Sequence, residues 1–360
     1  MTETAIIQAL LTFMQRDDAS EDDFNSLALD IFAYQFSHNL PYRRFAMQRG
    51  RTPLTVKHWR NIPALPISAF KDLTLSCHPI DDVAAIFMTS GTTGTVKGRS
   101  YHPTLEVWQC SMRLNFRRRF MASTDRIRMG ILFPDTTAMP NSSLATYLEL
   151  ARQEFGTAES EVLVDEHGLN TTRLFAALEQ AEASAEPYAL LGASYSFVQL
   201  LDEMQRQQRH FTLPPGSRIL DTGGFKGQSR EVGGDEFYAA LTQQLGVPRA
   251  RCINMYGMTE LSSQFYDDGN ESSPPVKSGP HWIRTRVVNP LTGDDVPEGE
   301  IGVLVHHDLA HFNSVSALLT EDAGVIVPGG FHLLGRVTGA DAKGCSLAME
   351  EFLAATQVQA

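Results

Sequence analysis

The sequence predicts an α/β fold: a mainly parallel sheet flanked by helices, followed by a smaller β-rich subdomain. Three observations carry this reading. Between 83 and 257, short apolar runs alternate with stretches of helical periodicity, the pattern of βα units around a parallel sheet. Each run closes on a Gly- or Ser-bearing turn, and ligands of such sheets sit at the carboxyl ends of the strands. Near 267 the composition changes to "DDGNESSPPVKSGP", and β-like alternation follows. A chain of 360 residues has room for one large domain or about two of ordinary size. The reading divides it into a helical segment at 1–60, an α/β core at 61–266, a β-rich subdomain at 267–336 and a short terminal segment at 337–360.

The elements follow in order. "AIIQALLTFM" and "DDFNSLALDIFAYQF" space their apolar residues by three and four, as amphipathic helices do. Ser20 is placed to cap the second, with Glu21, Asp22 and Asp23 in its first turn. The proline-bearing "NIPALPISAFK" at 61–71 reads as a connector into the sheet. "VAAIFMT" (83–89), "RIRMGILF" (126–133), "YALLGAS" (188–194), "SRILDTG" (217–223) and "CINMYG" (252–257) read as strands. "TTRLFAALEQAEA" and "SREVGGDEFYAALTQQLG" read as intervening helices. Beyond the loop at 267, "HWIRTRVVN", "IGVLVHHDL" and "SALLTEDAGVIV" carry β patterning. No internal repeat or low-complexity tract is present.

Bulk properties exclude several function classes. Hydrophobic residues make up 42% and charged residues 20%, so a substantial core can be buried. A net charge of −12 argues against a general nucleic-acid binder, which needs a basic face. "RLNFRRRF" at 113–120 is a local basic cluster, read as a solvated helix face. No apolar run reaches the ~18 residues of a membrane span, and the acidic N-terminus is unlike a signal peptide; a cytoplasmic protein is expected. Cys77, Cys110, Cys252 and Cys345 show neither disulfide-framework nor zinc spacing. His306 and His307 lie adjacent on a strand-like stretch and should point to opposite faces, which disfavours a metal site with His311.

The chemistry centres on "MTSGTTGTVKGRS" at 88–100. The template G-x-x-x-x-G-K-[ST] fails here, because Val96 precedes Lys97 and Gly98 follows it. What remains is a Gly/Ser/Thr loop whose backbone N–H groups and hydroxyls suit phosphate oxygens, with Lys97 as a compact positive charge. A second motif, "NMYGMTE" at 254–260, makes the pair resemble the phosphate-loop and Tyr-Gly-x-Thr-Glu motifs of the adenylate-forming enzymes. These are the acyl-CoA synthetases, peptide-synthetase adenylation domains and luciferases, which join a carboxylate to ATP and release pyrophosphate. The resemblance implies their large-domain architecture, with ATP and Mg²⁺ as cofactors. It implies that Thr89, Ser90, Gly91, Thr92, Thr93 and Gly94, with Lys97, hold the β- and γ-phosphates. Thr259 would contact the α-phosphate, Glu260 would bind Mg²⁺, and Tyr256, followed by Gly257, would pack on the adenine. "DTGGFKG" resembles the adenine-side segment, through Gly223 and Gly224. "LTED" resembles the segment whose aspartate, here Asp322, holds the ribose hydroxyls. Arg336 in "LLGRVTG" resembles the arginine that ends the family's large domain. Few residues follow it, and the full mobile C-terminal domain, with its catalytic lysine, is expected to be absent; Lys226 and Lys343 are candidates to replace that lysine.

One branch of the superfamily is short in this way: the LuxE-type acyl-protein synthetases. "FNSLALDIFAYQFSHNLPYRRF", "IPALPISAFK", "MTSGTTG", "LLGASYSF", "DTGGFKG", "NMYGMTE" and "GRVTGADAKGCSLAMEE" resemble that family's segments in order. The resemblance implies acyl transfer from the adenylate to a cysteine near the C-terminus, here Cys345. A thiolate attacks an acyl phosphate readily and leaves a transferable thioester; Lys343 is placed to lower its pKa. It further implies a carboxylic acid substrate of the fatty class and a protein acceptor such as a reductase or carrier. His102, Ser194, Tyr195 and Phe197 are placed at the substrate by the same resemblance, with Met139 and Ser142 as further acyl-pocket candidates; plain packing roles stand beside these. Two other readings remain at this stage: an adenylating ligase whose acceptor is CoA, a carrier-protein thiol or an amine, and a non-catalytic nucleotide- or acyl-binding module.

Overall fold

A computed structural model describes residues 1–89, 96–224, 229–337 and 349–350. The chain forms two compact units. One is Met1–Leu114, Met258–Gln264 and Ser278–Ala360, and the other is Asn115–Gly257 and Phe265–Lys277.

The first unit opens with helices Glu3–Met14, Glu21–His38 and Leu40–Gln48. Ser20 caps the second helix as expected. Its hydroxyl accepts from the Asp23 amide at 3.1 Å, while the Asp23 carboxylate accepts from the Ser20 amide at 3.0 Å. Such a reciprocal cap contributes about 1 kcal/mol. Phe24, Leu27, Ala28, Ile31 and Phe32 are buried at three- and four-residue spacing. Gln35 extends that buried face with a polar group, and its amide is fully used: Nε2 donates to the Phe312 carbonyl at 3.0 Å and Oε1 accepts from the Ser316 amide at 3.2 Å. The helix is thereby fastened to the segment that leads into a sheet.

That sheet runs Gly330–Arg336, Ala317–Val327, Gly302–Asp308, Ile283–Val288, all antiparallel. The connector supplies Leu65–Pro66, paired parallel to Ala317–Val327 with Leu65 opposite Leu318. Val288, Val303, Val305 and Leu319 pack together on it. His306 and His307 take opposite faces as the alternation requires: His306 Nδ1 lies 3.0 Å from Thr285 Oγ1, and His307 packs edge-on to Trp59. Among the described residues no group of three or more His, Cys, Asp or Glu is arranged to hold a metal ion, and no helix is long and apolar enough to cross a membrane.

One strand differs from the sequence expectation. Ala85–Met88 does not join a parallel sheet; it pairs antiparallel with Arg99–His102. Met88 faces Arg99 in this pair, so the chain on either side of the Gly-rich loop is held together. A short apolar run does not reveal the direction of its partner, and the partner "RSYH" has no apolar pattern to betray it.

The second unit is the α/β part. Its sheet order is Phe265–Tyr266, Cys252–Tyr256, Arg218–Thr222, Tyr188–Ala193, Arg128–Leu132, Glu161–Val162. All neighbours are parallel except the first pair. Tyr188–Ala193 is buried along its whole length, which explains its unbroken apolar run: helices cover both faces of such strands. Helices Ser143–Phe155, Thr171–Ser184, Ser194–Arg206 and Gly234–Leu245 belong to this unit. In the basic cluster Arg117 is half exposed, but Arg119 is not a solvated residue. It donates to the Tyr266 carbonyl at 3.2 Å and pairs with Asp268 at 2.9 Å.

Phe197, placed at the substrate from sequence, lies fully buried among Leu190, Leu201, Leu241 and Ile219. Phe197→Ala is expected to cost about 3–5 kcal/mol of stability, read as a lowered denaturation midpoint. A change in acyl-chain preference with unaltered stability would instead make Phe197 a pocket wall.

Candidate active site

The loop begins and ends at Thr89 and Gly98, and these two close it. The Thr89 amide donates to the Gly98 carbonyl at 3.0 Å, and the Gly98 amide donates to Thr89 Oγ1 at 3.0 Å. Thr89 is thus a clasp at the root of the loop. Lys97, one residue inside the clasp, is exposed. Ser90, Gly91, Thr92, Thr93 and Gly94 lie outside the described residues, as do Lys226, Lys343 and Cys345.

Glu260 comes to the same place. A methyl group on Gly98 would stand 3.3 Å from Glu260 Oε1, 3.2 Å from Thr89 Cγ2 and 3.5 Å from Phe70 Cβ. Glycine at 98 therefore lets the carboxylate and the clasp pack against bare backbone. Glu260 is 5% exposed, and burial pushes its carboxyl up to about 7, against a weaker pull from its own amide and from the Arg336 and Lys71 charges. Among the described residues it makes no ion pair. A buried carboxylate without a counter-ion suits a hard cation, since Mg²⁺ is commonly held by one or two carboxylates together with substrate phosphates. Thr259, beside it, is half-buried.

Within the same unit, Asp322 faces Arg336 across two strands, with Oδ1 3.3 Å from Nε. Arg336 also donates to Glu321 at 3.2 Å. His102 is buried in the hairpin, 3.2 Å from Ser100 Oγ, and burial lowers its pKa to about 4. It is therefore a neutral group at physiological pH and not a phosphate counter-ion.

In the second unit the parallel strands end at Gly223, Gly224, Tyr256 and Gly257. Gly223 and Gly224 are exposed just past Arg218–Thr222, and Gly223 has φ +76, a conformation that favours glycine. Tyr256 is 9% exposed, its ring 5.8 Å from that of Phe265. Sequence reasoning missed the residue that organises these ends. Asp221, 1% exposed, accepts from Ser194 Oγ at 2.7 Å, Tyr238 Oη at 3.0 Å and Asn254 Nδ2 at 2.8 Å. It ties its own strand to the neighbouring strand Cys252–Tyr256 and to the helices Ser194–Arg206 and Gly234–Leu245, and Ser194 spends its hydroxyl on this. Asn254, half-buried, in turn accepts from Lys277 Nζ at 2.6 Å, and buried Lys277 pairs with buried Asp267 at 2.8 Å. An aspartate inside the apolar "RILDTG" was the available signal. Tyr195 remains partly exposed in the first turn of its helix. Met139 is partly exposed, and Ser142 caps the helix Ser143–Phe155.

The described cysteines are poorly suited to nucleophilic work. Burial pushes the Cys252 thiol up to about 12 and raises those of Cys77 and Cys110, whereas reactive cysteines have lowered values.

The fold is similar to an open conformation of 2-hydroxyisobutyryl-CoA ligase in complex with 2-HIB-AMP and CoA, with a TM-score of 0.65 at 13% identity, over 91% of this chain and 75% of that one. It is also similar to ATP-bound MatB from Rhodopseudomonas palustris, with a TM-score of 0.52 at 17% identity, over 72% and 49%. At these identities the likeness defines the fold. The profile of the LuxE acyl-protein synthetases matches residues 5–354, and the chain belongs to that family. Two relatives are the long-chain-fatty-acid–luciferin-component ligases of Vibrio harveyi and Aliivibrio fischeri. They are 25% and 22% identical over 341 and 342 residues, each alignment spanning 91% of this chain and 88% of the relative.

Two predictions follow from the geometry at Glu260. Gly98→Ala forces Thr89 or Glu260 to give by a few tenths of an ångström; turnover is expected to fall about tenfold while the melting temperature changes little. For Glu260→Gln the sign is set by the raised folded-state pKa. Stability from the protonated carboxyl is complete below pH 4.5 and is lost as pH rises through about 7. Ionised Glu260 then costs roughly 3 kcal/mol. The variant is expected to be inactive, and to melt above the wild type by a margin that grows from pH 5 to pH 8. Thermal denaturation across that range checks this; a variant less stable at pH 8 would contradict it.

Proposed function

We propose that this protein activates a long-chain fatty acid with ATP and transfers the acyl group, through Cys345, to a partner protein. One observation carries the reading: the carboxylate of the Tyr-Gly-x-Thr-Glu motif lies against the root of the Gly-rich loop, buried and without a described counter-ion. Membership of an acyl-protein synthetase family and relatives named for long-chain fatty acids and a luciferin component support the substrate and acceptor classes.

In the first step a carboxylate oxygen of the acid attacks the α-phosphorus, the bond to the bridging oxygen breaks, and pyrophosphate leaves. Negative charges must approach one another, so oriented donors and positive charge are needed. In this reading the loop amides, the hydroxyls of Ser90, Thr92 and Thr93, and Lys97 hold the β- and γ-phosphates. Thr259 orients the α-phosphate, Asp322 takes the ribose hydroxyls, and Tyr256 with Gly223 and Gly224 takes the adenine. Glu260 would hold Mg²⁺, which when bound neutralises phosphate charge. Gly98 and Glu260 are buried at the loop root, and Thr89 is half-buried. In the second step the Cys345 thiolate attacks the acyl carbonyl and AMP leaves, giving a thioester. A nucleophile on the partner then takes the acyl group and returns the thiolate. Dependence on ATP places the work in the cytoplasm. The division at 1–60, 61–266, 267–336 and 337–360 corresponds in this reading to a helical segment, the adenylation core, the β-rich subdomain and the segment that brings Cys345.

The test uses a panel of fatty acids. Acid-dependent ATP–pyrophosphate exchange is expected, together with a radiolabelled acyl group that stays on the wild-type protein. Cys345→Ala should keep the exchange and lose the label. Label retained in that variant removes Cys345 from the mechanism, and exchange with no acid at all removes adenylation.

A further inference from the structure

A buried polar cluster that the steps above do not use lies in the first unit. The chain from Gly257 to Gln264 has no regular secondary structure, yet it carries Thr259 and Glu260, whose placement must be accurate. Its internal backbone bond is Leu261 N–H to the Met258 carbonyl at 3.2 Å. What holds it from outside is Asp308, at the end of the strand Gly302–Asp308 and 0% exposed. Oδ2 accepts from the amides of Ser262 at 2.7 Å and Ser263 at 2.8 Å; Oδ1 accepts from Ser263 Oγ at 2.7 Å and the Ala310 amide at 3.1 Å.

His311, three residues on, joins this segment to the loop hairpin. Its Nδ1 lies 3.0 Å from Ser262 Oγ and its Nε2 lies 3.4 Å from Ser100 Oγ. Ser100 is two residues past Gly98, and also lies 3.2 Å from His102 Nε2. Trp282 Nε1 completes the cluster, 3.0 Å from Ser263 Oγ and 3.0 Å from Ser111 Oγ. Ser100, Ser111, Ser262, Ser263, Asp308 and His311 are all buried. A cluster needed for cohesion alone is readily replaced by apolar packing. Here, instead, a carboxylate collects two successive amides that begin two residues after Glu260, and a histidine spans from there to the strand leaving the Gly-rich loop.

We infer that Asp308 and His311 are positioning residues for the adenylation step: Asp308 fixes the segment bearing Thr259 and Glu260, and His311 sets its register against the Gly-rich hairpin. Neither touches a reacting atom. This inference rests on the adenylation reading for its consequence in turnover, but its structural half stands apart from it.

The experiment compares Ser262→Ala, which removes only the hydroxyl link to His311, with Asp308→Asn, which replaces one acceptor oxygen by a donor. ATP–pyrophosphate exchange is measured against ATP and Mg²⁺, and amide hydrogen exchange is measured over 257–264. Ser262→Ala is expected to lower kcat about tenfold, with KM for ATP within about twofold and an unchanged melting temperature. Asp308→Asn is expected to lower kcat by about a hundredfold or more, to raise the Mg²⁺ concentration for half-activation, and to speed exchange of the Ser262 and Ser263 amides. If Asp308→Asn does not fold, Ser262→Ala decides alone. Folded variants with wild-type kcat and Mg²⁺ requirement overturn the inference, as do amides at 262 and 263 that exchange as in the wild type. Should the wild type itself show no pyrophosphate exchange, adenylation fails, and the hydrogen-exchange result still decides whether Asp308 holds the segment.

Discussion

A carboxylate buried away from water must find donors or counter-charge, and this constraint shapes the protein around Glu260. Asp308 collects three N–H donors and a hydroxyl, whereas Asp221 is met by two hydroxyls and a side-chain amide. Asp267 pairs with Lys277. Glu260 alone of these is left with its own amide and more distant positive charge, and burial raises its pKa accordingly. The satisfied carboxylates hold backbone in place. Glu260, without a described ion pair, carries the raised pKa of a desolvated carboxyl.

The two ends of the Gly-rich loop are held by backbone pairing. Two antiparallel strands and the Thr89–Gly98 clasp bring Thr89 and Gly98 together. Gly98 has a second duty, because any side chain there would press on Glu260. Loop root and motif carboxylate are thus a single packing problem, although they lie far apart in the chain. The exposed Lys97 stands one residue inside the clasp, so its root is fixed while its ammonium group remains available.

Much of this was legible beforehand. Helix Glu21–His38 carries its capping box and buried stripe in local sequence, and the apolar runs at 188–193 and 218–222 are parallel strands because both faces are covered. Less legible was the partner of Ala85–Met88, since "RSYH" has no apolar alternation. Ser194 and Phe197 mark the limit at the site: one gives its hydroxyl to Asp221 and the other sits in the core. Motif position does not say which way each side chain turns.

The sequence by itself determined the family, the order of the elements and the residue types available for phosphate and carboxylate chemistry. These depend on local periodicity, turn chemistry and motif spacing, all of which are written along the chain. Only the tertiary structure decided that Glu260 meets Gly98, that Asp308 grips the amides of Ser262 and Ser263, and that Asp221 gathers Ser194, Tyr238 and Asn254. Those pairings join residues tens to hundreds of positions apart, and burial and charge act on them only after the fold has removed the water between them.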